Sequence, residues 1–168
     1  TTGLNPQKDQ ILQIGMLCFE SSTGEVIGEF ETLVSHDRYA GDPYALQMNA
    51  ALLKKLACGE GISLTTAHAG MAAALEEWGF SESDKPIAVG FNVAPFDIAF
   101  LKAAGIGCFT HRTVELGTLL MPIMHSDSPV SSKEAVKLTD SGGEVAHTAL
   151  ADCRMAHELY MYVHSELS

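Results

Sequence analysis

The chain has few basic residues. Its 168 residues include 10 Lys and Arg against 21 Asp and Glu, which gives a formal net charge of −11. The Lys and Arg residues are scattered and form no basic run. A protein that coats nucleic acid needs a basic surface to contact phosphates, so this composition excludes that class. It does not exclude an enzyme that binds only the end of a nucleic-acid strand, because bound divalent cations bring their own positive charge.

Several other features are absent. The four cysteines make no C-x-x-C pair and no His/Cys cluster with zinc spacing, which predicts reduced thiols and a cytoplasmic location. No run approaches the roughly 18 apolar residues of a membrane span, and we identify no signal peptide. A serine hydrolase of the nucleophile-elbow type is also excluded, because no G-x-S-x-G is present.

The hydrophobic pattern predicts one α/β domain over residues 1–168, since 46% of the residues are hydrophobic and can build a core. Strands are predicted at residues 10–19, 25–34, 87–91 and 113–116, the first two as an antiparallel hairpin. Helices are predicted at residues 45–57, 65–78, 95–105 and 149–163, and a loop at 126–143. Strands interleaved with helices indicate an α/β layer architecture.

The last predicted helix carries an aspartate in an unusual place. On a 3.6-residue helix, Asp152 lies on one stripe with Leu159 and Val163, which are expected to face the core. A carboxylate on that stripe must be protonated, paired with a base or bound to a metal. The alternative is an ordinary aspartate at a helix N-terminus, stabilised by the helix dipole. His147, just upstream, supplies a group that titrates near neutral pH.

A second aspartate has a similar setting. Pro95 and Gly105 are typical of the first turn and the end of a helix, and on that helix Asp97 shares a face with Phe100 and Leu101. Two aspartates on core-facing stripes of separate helices, with a histidine near one of them, predict a hard-cation site with a general base. That combination is typical of hydrolytic chemistry.

Four segments also resemble a known family: "TTGLNPQKDQILQIG" at residues 1–15, "GFNVAPFD" at 90–97, "HRTVELGTLL" at 111–120 and "HTALAD" at 147–152. In this order and at these separations they resemble the DEDDh branch of the DEDD 3′–5′ exonucleases. This is the superfamily of polymerase proofreading domains, RNase T and oligoribonuclease. The resemblance covers essentially the whole chain. It departs from the common pattern by one extra residue between Asn92 and Phe96.

The resemblance implies a ribonuclease-H-like fold. This is a five-stranded mixed sheet, order 3-2-1-4-5 with strand 2 antiparallel, flanked by helices. The family's first motif normally begins Asp-x-Glu, and this sequence opens at Thr1, just after the place where those residues would stand. The central first strand is therefore expected to be largely missing from this sequence, and an Asp and a Glu are expected immediately before Thr1 in the intact protein.

The implied activity is release of 5′-mononucleotides from the 3′ end of single-stranded DNA or RNA with two divalent cations, Mg²⁺ or Mn²⁺. The resemblance implies Asp97 and Asp152 as metal ligands and His147 as the base that takes a proton from water. The partner is expected to be a nucleic-acid end and not a membrane, with a homodimer or a polymerase association also compatible with the family. The alternative is a catalytically degenerate nucleic-acid- or protein-binding module on the same fold.

Five further residues are implied to bind the substrate: Thr1, Thr2, Leu4, Asn92 and Phe96. The first three resemble family positions that hold the terminal nucleotide through backbone groups and an apolar wedge. Phe96 is expected near the terminal sugar or base, because stacking tolerates any base. Its alternative is simple core packing.

Overall fold

A computed structural model describes residues 1–139 and 148–167 of the chain. The strands in these residues are β1 (Gln13–Phe19), β2 (Val26–Leu33), β3 (Ala88–Gly90) and β4 (Thr113–Glu115). The helices are α1 (Pro43–Met48), α2 (Ala50–Ala57), α3 (Leu64–Glu77), α4 (Ala99–Ala103), α5 (Leu116–Leu119), α6 (Ser132–Ala135) and α7 (Ala149–Leu167). A π-helical turn, Ala94–Ile98, precedes α4, and a 3₁₀ turn, Val136–Leu138, follows α6.

Strands β1 and β2 form the predicted antiparallel hairpin. Their register runs from Gln13 opposite Leu33 to Phe19 opposite Val26, with one irregularity at Cys18/Phe19. Ile14 and Met16 are buried. Because side chains alternate along a strand, the residues between them lie on the other face. The hairpin therefore has one face toward the core, and its opposite face lies against α7.

Strands β3 and β4 pair in parallel, with Ala88 opposite Thr113 and Gly90 opposite Glu115. A parallel pair requires a crossover connection, and here it contains the π-helical turn and α4. The carboxyl ends of the two strands meet at one edge, so the residues after Gly90 begin next to Glu115.

The mixed α/β class is confirmed, and the predicted five-stranded sheet is not formed by the described residues. Their strands make two separate two-stranded sheets, one antiparallel and one parallel. One isolated parallel bridge joins Val34 to Ile62. The hydrophobic pattern predicted the antiparallel pairing of β1 with β2 but not the parallel pairing of β3 with β4.

Two element predictions were wrong in detail. The helix predicted at 45–57 is interrupted at Asn49, whose side-chain amide donates to Ala45 O at 2.9 Å and to Thr1 O at 3.2 Å. The loop predicted at 126–143 contains α6, which begins with a capping box between Ser131 and Glu134. The S-x-x-E signal for this box was present in the sequence.

Two large apolar clusters hold these elements together. In one, α3 contributes Met71 and Leu75 against Ile14 and Met16 of β1. In the other, α7 contributes Leu159 and Val163, which pack with buried residues of the segment 116–135. No helix in the described part of the chain is both long and apolar enough to cross a membrane.

Candidate active site

Asp97 lies in the π-helical turn that follows β3. Ile98 N donates to Val93 O at 2.9 Å, an i→i−5 bond that makes the turn wider than an α-helical one. Pro95 occupies its first turn, as predicted. The extra residue between Asn92 and Phe96 falls at this turn, and a π turn accommodates one residue more than an α turn does.

Glu115, which was not predicted as a site residue, holds this turn in place. The Glu115 carboxylate, at the end of β4, accepts hydrogen bonds from Ala94 N at 3.0 Å and from Val93 N at 3.3 Å. These amides belong to the start of a helical segment, where backbone donors have no intrahelical acceptor. The parallel pairing of Gly90 with Glu115 brings the carboxylate to this position.

The Asp97 carboxylate has a perturbed proton affinity. Desolvation raises its pKa from 3.8 to about 6, a hydrogen bond from its own backbone opposes the rise, and the charges of Asp152 and Glu115 add to it. Asp97 nevertheless remains exposed. Our prediction that it shares the buried face of Phe100 is therefore corrected, because the π turn rotates Asp97 away from Phe100, which is buried.

Asp152 lies in the first turn of α7. Its N–H donates to Thr148 O at 3.0 Å. Leu159 and Val163 are buried as predicted, but Asp152 is exposed, so its predicted place on the buried side is also corrected. Asp152 lies in the first turn, about two turns before Leu159, so it shares the stripe of Leu159 without sharing its burial. Both aspartates are thus accessible to a ligand and close enough for their charges to interact.

Cys153 marks how acidic this region is. Burial raises the pKa of its thiol to about 12, and the charges of Asp97, Asp152, Glu31 and Glu29 act in the same direction. A thiolate is therefore strongly disfavoured here, which argues against Cys153 as a nucleophile. The same negative potential favours binding of cations.

The N-terminal segment approaches this site. Thr1 lies near the Asp97 and Asp9 carboxylates. Leu4, by contrast, is 83% exposed. Thr1 therefore lies within electrostatic reach of Asp97, and Leu4 presents an apolar side chain to solvent.

Thr2 is fully buried and its polar groups have partners inside the protein. Its N–H donates to Gln10 O at 2.9 Å, its carbonyl accepts from Asp42 N at 2.8 Å, and its hydroxyl oxygen accepts from Gln10 N at 2.8 Å. These bonds favour a structural role for Thr2, and its full burial leaves no surface for the predicted contact with substrate.

Phe96 and Asn92 have different surroundings. Phe96 is half-buried and its ring lies 5.0 Å from that of Phe100 in a tilted arrangement, which favours the packing alternative for at least one of its faces. Asn92 is exposed and has φ 52°, in the left-handed region. Asn tolerates that region better than most residues.

The strain at Asn92 can be separated from a role in binding. Asn92→Ala should lower the free energy of unfolding by about 1 kcal/mol, whereas Asn92→Gly should leave it nearly unchanged because glycine tolerates positive φ. If Asn92 donates to substrate, Asn92→Gly should still raise the KM for a single-stranded oligonucleotide about threefold to tenfold. Urea melts and steady-state kinetics measure the two effects. Equal stability of the two variants would contradict the conformational argument.

His147 lies outside the described residues, so its predicted role as base stays a prediction. Within residues 1–139 and 148–167, no group of three or more His, Cys, Asp or Glu side chains is arranged to hold a metal ion. Of the predicted site residues, the structure places Asp97, Asp152 and Thr1 near one another, and three unpredicted residues lie in the same region: Glu115, Cys153 and Glu31.

Comparison with protein-family models and with curated proteins gives no match to this chain.

Proposed function

We propose that this protein is a metal-dependent 3′–5′ exonuclease that hydrolyses the terminal phosphodiester bond of single-stranded DNA or RNA. One observation carries the proposal: Asp97 and Asp152, from two separate helices, are accessible and interact electrostatically with each other. A carboxylate with a raised pKa beside a second accessible carboxylate is typical of functional sites. The order of the sequence motifs, which resembles the DEDDh exonucleases, supplies the reaction class.

The side chains present fit a divalent cation such as Mg²⁺ or Mn²⁺. Carboxylate oxygens are the ligands that hard cations prefer. A bound cation would also relieve the repulsion from Asp152, which adds to the effect of desolvation in raising the Asp97 pKa. Asp97 and Asp152 would hold the ions. Bound ions would supply activation of water and charge stabilisation at the scissile phosphate.

The protein's own groups would do the rest. His147 would accept the proton of the attacking water. Leu4, exposed beside the N-terminal segment, would pack against the terminal base, and Thr1 would contact the terminal nucleotide through its backbone. Asn92 would donate to the substrate, and Phe96 would offer the edge that Phe100 does not cover.

The finer fold belongs to the same proposal. We infer that the β1–β2 and β3–β4 pairs are parts of a ribonuclease-H-like five-stranded sheet. The rival function is a binding module on this fold that has no catalytic metals.

The direction of cleavage tests the proposal. The full-length protein should shorten a 5′-labelled single-stranded oligonucleotide stepwise in Mn²⁺ or Mg²⁺ and release 5′-mononucleotides. An oligonucleotide blocked at its 3′ end should be spared, and EDTA should stop the reaction. Degradation from the 5′ end would overturn the assignment. Tight binding of the oligonucleotide with no cleavage in either metal would identify the binding module instead.

A further inference from the structure

The first amides of α7 have no acceptors within the helix, and each finds one outside it. Ala151 N donates to the hydroxyl of Thr148, the residue before the helix, at 3.2 Å. Ala149 N donates to Gln13 Oε1 at 3.2 Å, and Leu150 N donates to Glu31 Oε1 at 3.1 Å. Two of the three acceptors therefore come from the β1–β2 hairpin, more than a hundred residues away in sequence.

The hairpin presents these two side chains as a connected pair. Gln13 Nε2 donates to Glu31 Oε1 at 2.9 Å, which directs the Gln13 carbonyl oxygen toward α7. Glu31 lies opposite Gly15 in the strand register. Gly15 has no side chain between these residues and the helix, and a Cβ there would lie 2.5 Å from the Ala149 carbonyl carbon. The helix start thus rests directly on β1.

Glu31 is in an acidic neighbourhood, since its charge, with those of Asp97 and Asp152, raises the pKa of Cys153. The Glu31 carboxylate is therefore repelled by the negative charges of Asp97 and Asp152. Its bond to an amide at a helix N-terminus is charge-assisted and complements the helix dipole, which offsets that repulsion. The hydrogen bonds to α7 therefore give a reason for a carboxylate at this place.

We propose that Gln13 and Glu31 are positioning residues: they fix the first turn of α7 and thereby hold Asp152 opposite Asp97. The catalytic consequence rests on the proposed function, whereas the fixing of the helix does not. Neither residue touches the substrate. Their effect on catalysis passes through the backbone of Ala149 and Leu150, three and two residues before Asp152.

Three variants of the full-length protein test the inference. Glu31→Ala removes the acceptor of Leu150 N, and Glu31→Gln keeps an Oε1 acceptor. Glu29→Ala is the matched control: it removes the same charge from the same strand, and the contact of Glu29 with α7 is an exposed ion pair with the Arg154 side chain at 2.6 Å, not a bond to the helix backbone.

Hydrogen exchange of the Ala149 and Leu150 amides is the readout that does not depend on activity. In Glu31→Ala we expect the Leu150 amide to exchange about tenfold faster or more, with Glu31→Gln within about threefold of wild type and Glu29→Ala unchanged. With 3′-end cleavage as the second readout, Glu31→Ala should lower kcat about tenfold or more and leave the KM for oligonucleotide nearly unchanged. Glu31→Gln should restore most of the lost kcat.

Unchanged Leu150 exchange in Glu31→Ala would overturn the inference, whatever happens to activity. The same holds if Glu29→Ala matches Glu31→Ala in both readouts, since a general loss of charge would then explain the effect. If exchange responds as expected but the wild-type protein neither binds Mn²⁺ nor cleaves, the exonuclease proposal fails together with the catalytic consequence, and the fixing of α7 stands.

Discussion

Asp97→Asn and Asp152→Asn are each expected to lower 3′–5′ exonuclease activity by at least about 100-fold, because each removes a charged oxygen ligand from the proposed metal site. Mn²⁺ affinity, measured by titration calorimetry, should fall in parallel. The matched control is Asp84→Asn, an exposed aspartate in the loop before β3, at the opposite end of that strand from Asp97. This control should keep wild-type activity and metal affinity.

The same substitution at Asp97 should stabilise the metal-free protein. The folded-state pKa of Asp97 is raised to about 6 from 3.8, so the folded form binds this proton more tightly than the unfolded form. The free energy of unfolding therefore falls as pH rises from about 4 to about 6, and the ionised carboxylate destabilises the fold above that range. Since solvent screens an exposed side chain, we expect Asp97→Asn to gain about 1 kcal/mol at pH 7 and nothing at pH 3.5.

Urea melts in EDTA at both pH values measure this difference. An Asp97→Asn protein that is less stable than wild type at pH 7 would mean that the aspartate has a structural role. If both Asn variants also kept Mn²⁺ affinity, the exonuclease proposal would lose its main support.

Gly15→Ala should have a large effect on the fold. The new Cβ would lie 2.5 Å from the carbonyl carbon of Ala149 and 2.6 Å from the nitrogen of Leu150, and both are backbone atoms. Because a helix backbone cannot yield as a flexible side chain does, the first turn of α7 must move away from β1. Overpacking of this kind costs about 2–3 kcal/mol, which corresponds to a fall in Tm of about 5–10 °C in a chain of this size.

Gly107→Ala is the matched control, because nothing lies within 4 Å of a Cβ at that position. It should leave Tm unchanged or raise it slightly, since alanine reduces the entropy of the unfolded chain. Gly15→Ala should also lower exonuclease activity, because Asp152 moves with the displaced turn. Equal melting temperatures for the two variants would show that α7 does not rest on β1 in solution.

Local sequence determined the elements that carry the site. The apolar run at residues 10–19 and the alternation at 25–34 gave the hairpin, Pro95 gave the start of the Asp97 turn, and the period of Leu159 and Val163 gave α7. These patterns are set by which side chains can be buried over a few residues, so neighbours in sequence suffice to predict them. They also selected Asp97 and Asp152, whose proximity the structure provides.

The exposure of the two aspartates and the partners of their helices could not be predicted in this way. Periodicity placed Asp97 and Asp152 on apolar stripes, but it does not show which positions along a stripe are buried and which are exposed. The extra residue before Phe96 became a π turn, which changed the direction of Asp97. Glu115 was passed over because nothing local to it indicates that its carboxylate accepts from Val93 and Ala94.

Tertiary structure alone decided the junction between the hairpin and α7. The odd-numbered positions Gln13 and Gly15 and their cross-strand neighbour Glu31 look like an ordinary solvated strand face in the sequence. Their structural role depends on α7, which begins 118 residues after Glu31. The first amides of α7 have no acceptor within the helix and donate to Gln13 and Glu31 instead. Hydrogen bonds and close approaches between distant segments depend on the three-dimensional path of the chain, whereas burial patterns within a segment depend on its own residue types. The sequence by itself therefore determined most of the helices and strands of this protein, and the tertiary structure decided how Asp97 and Asp152 are held together.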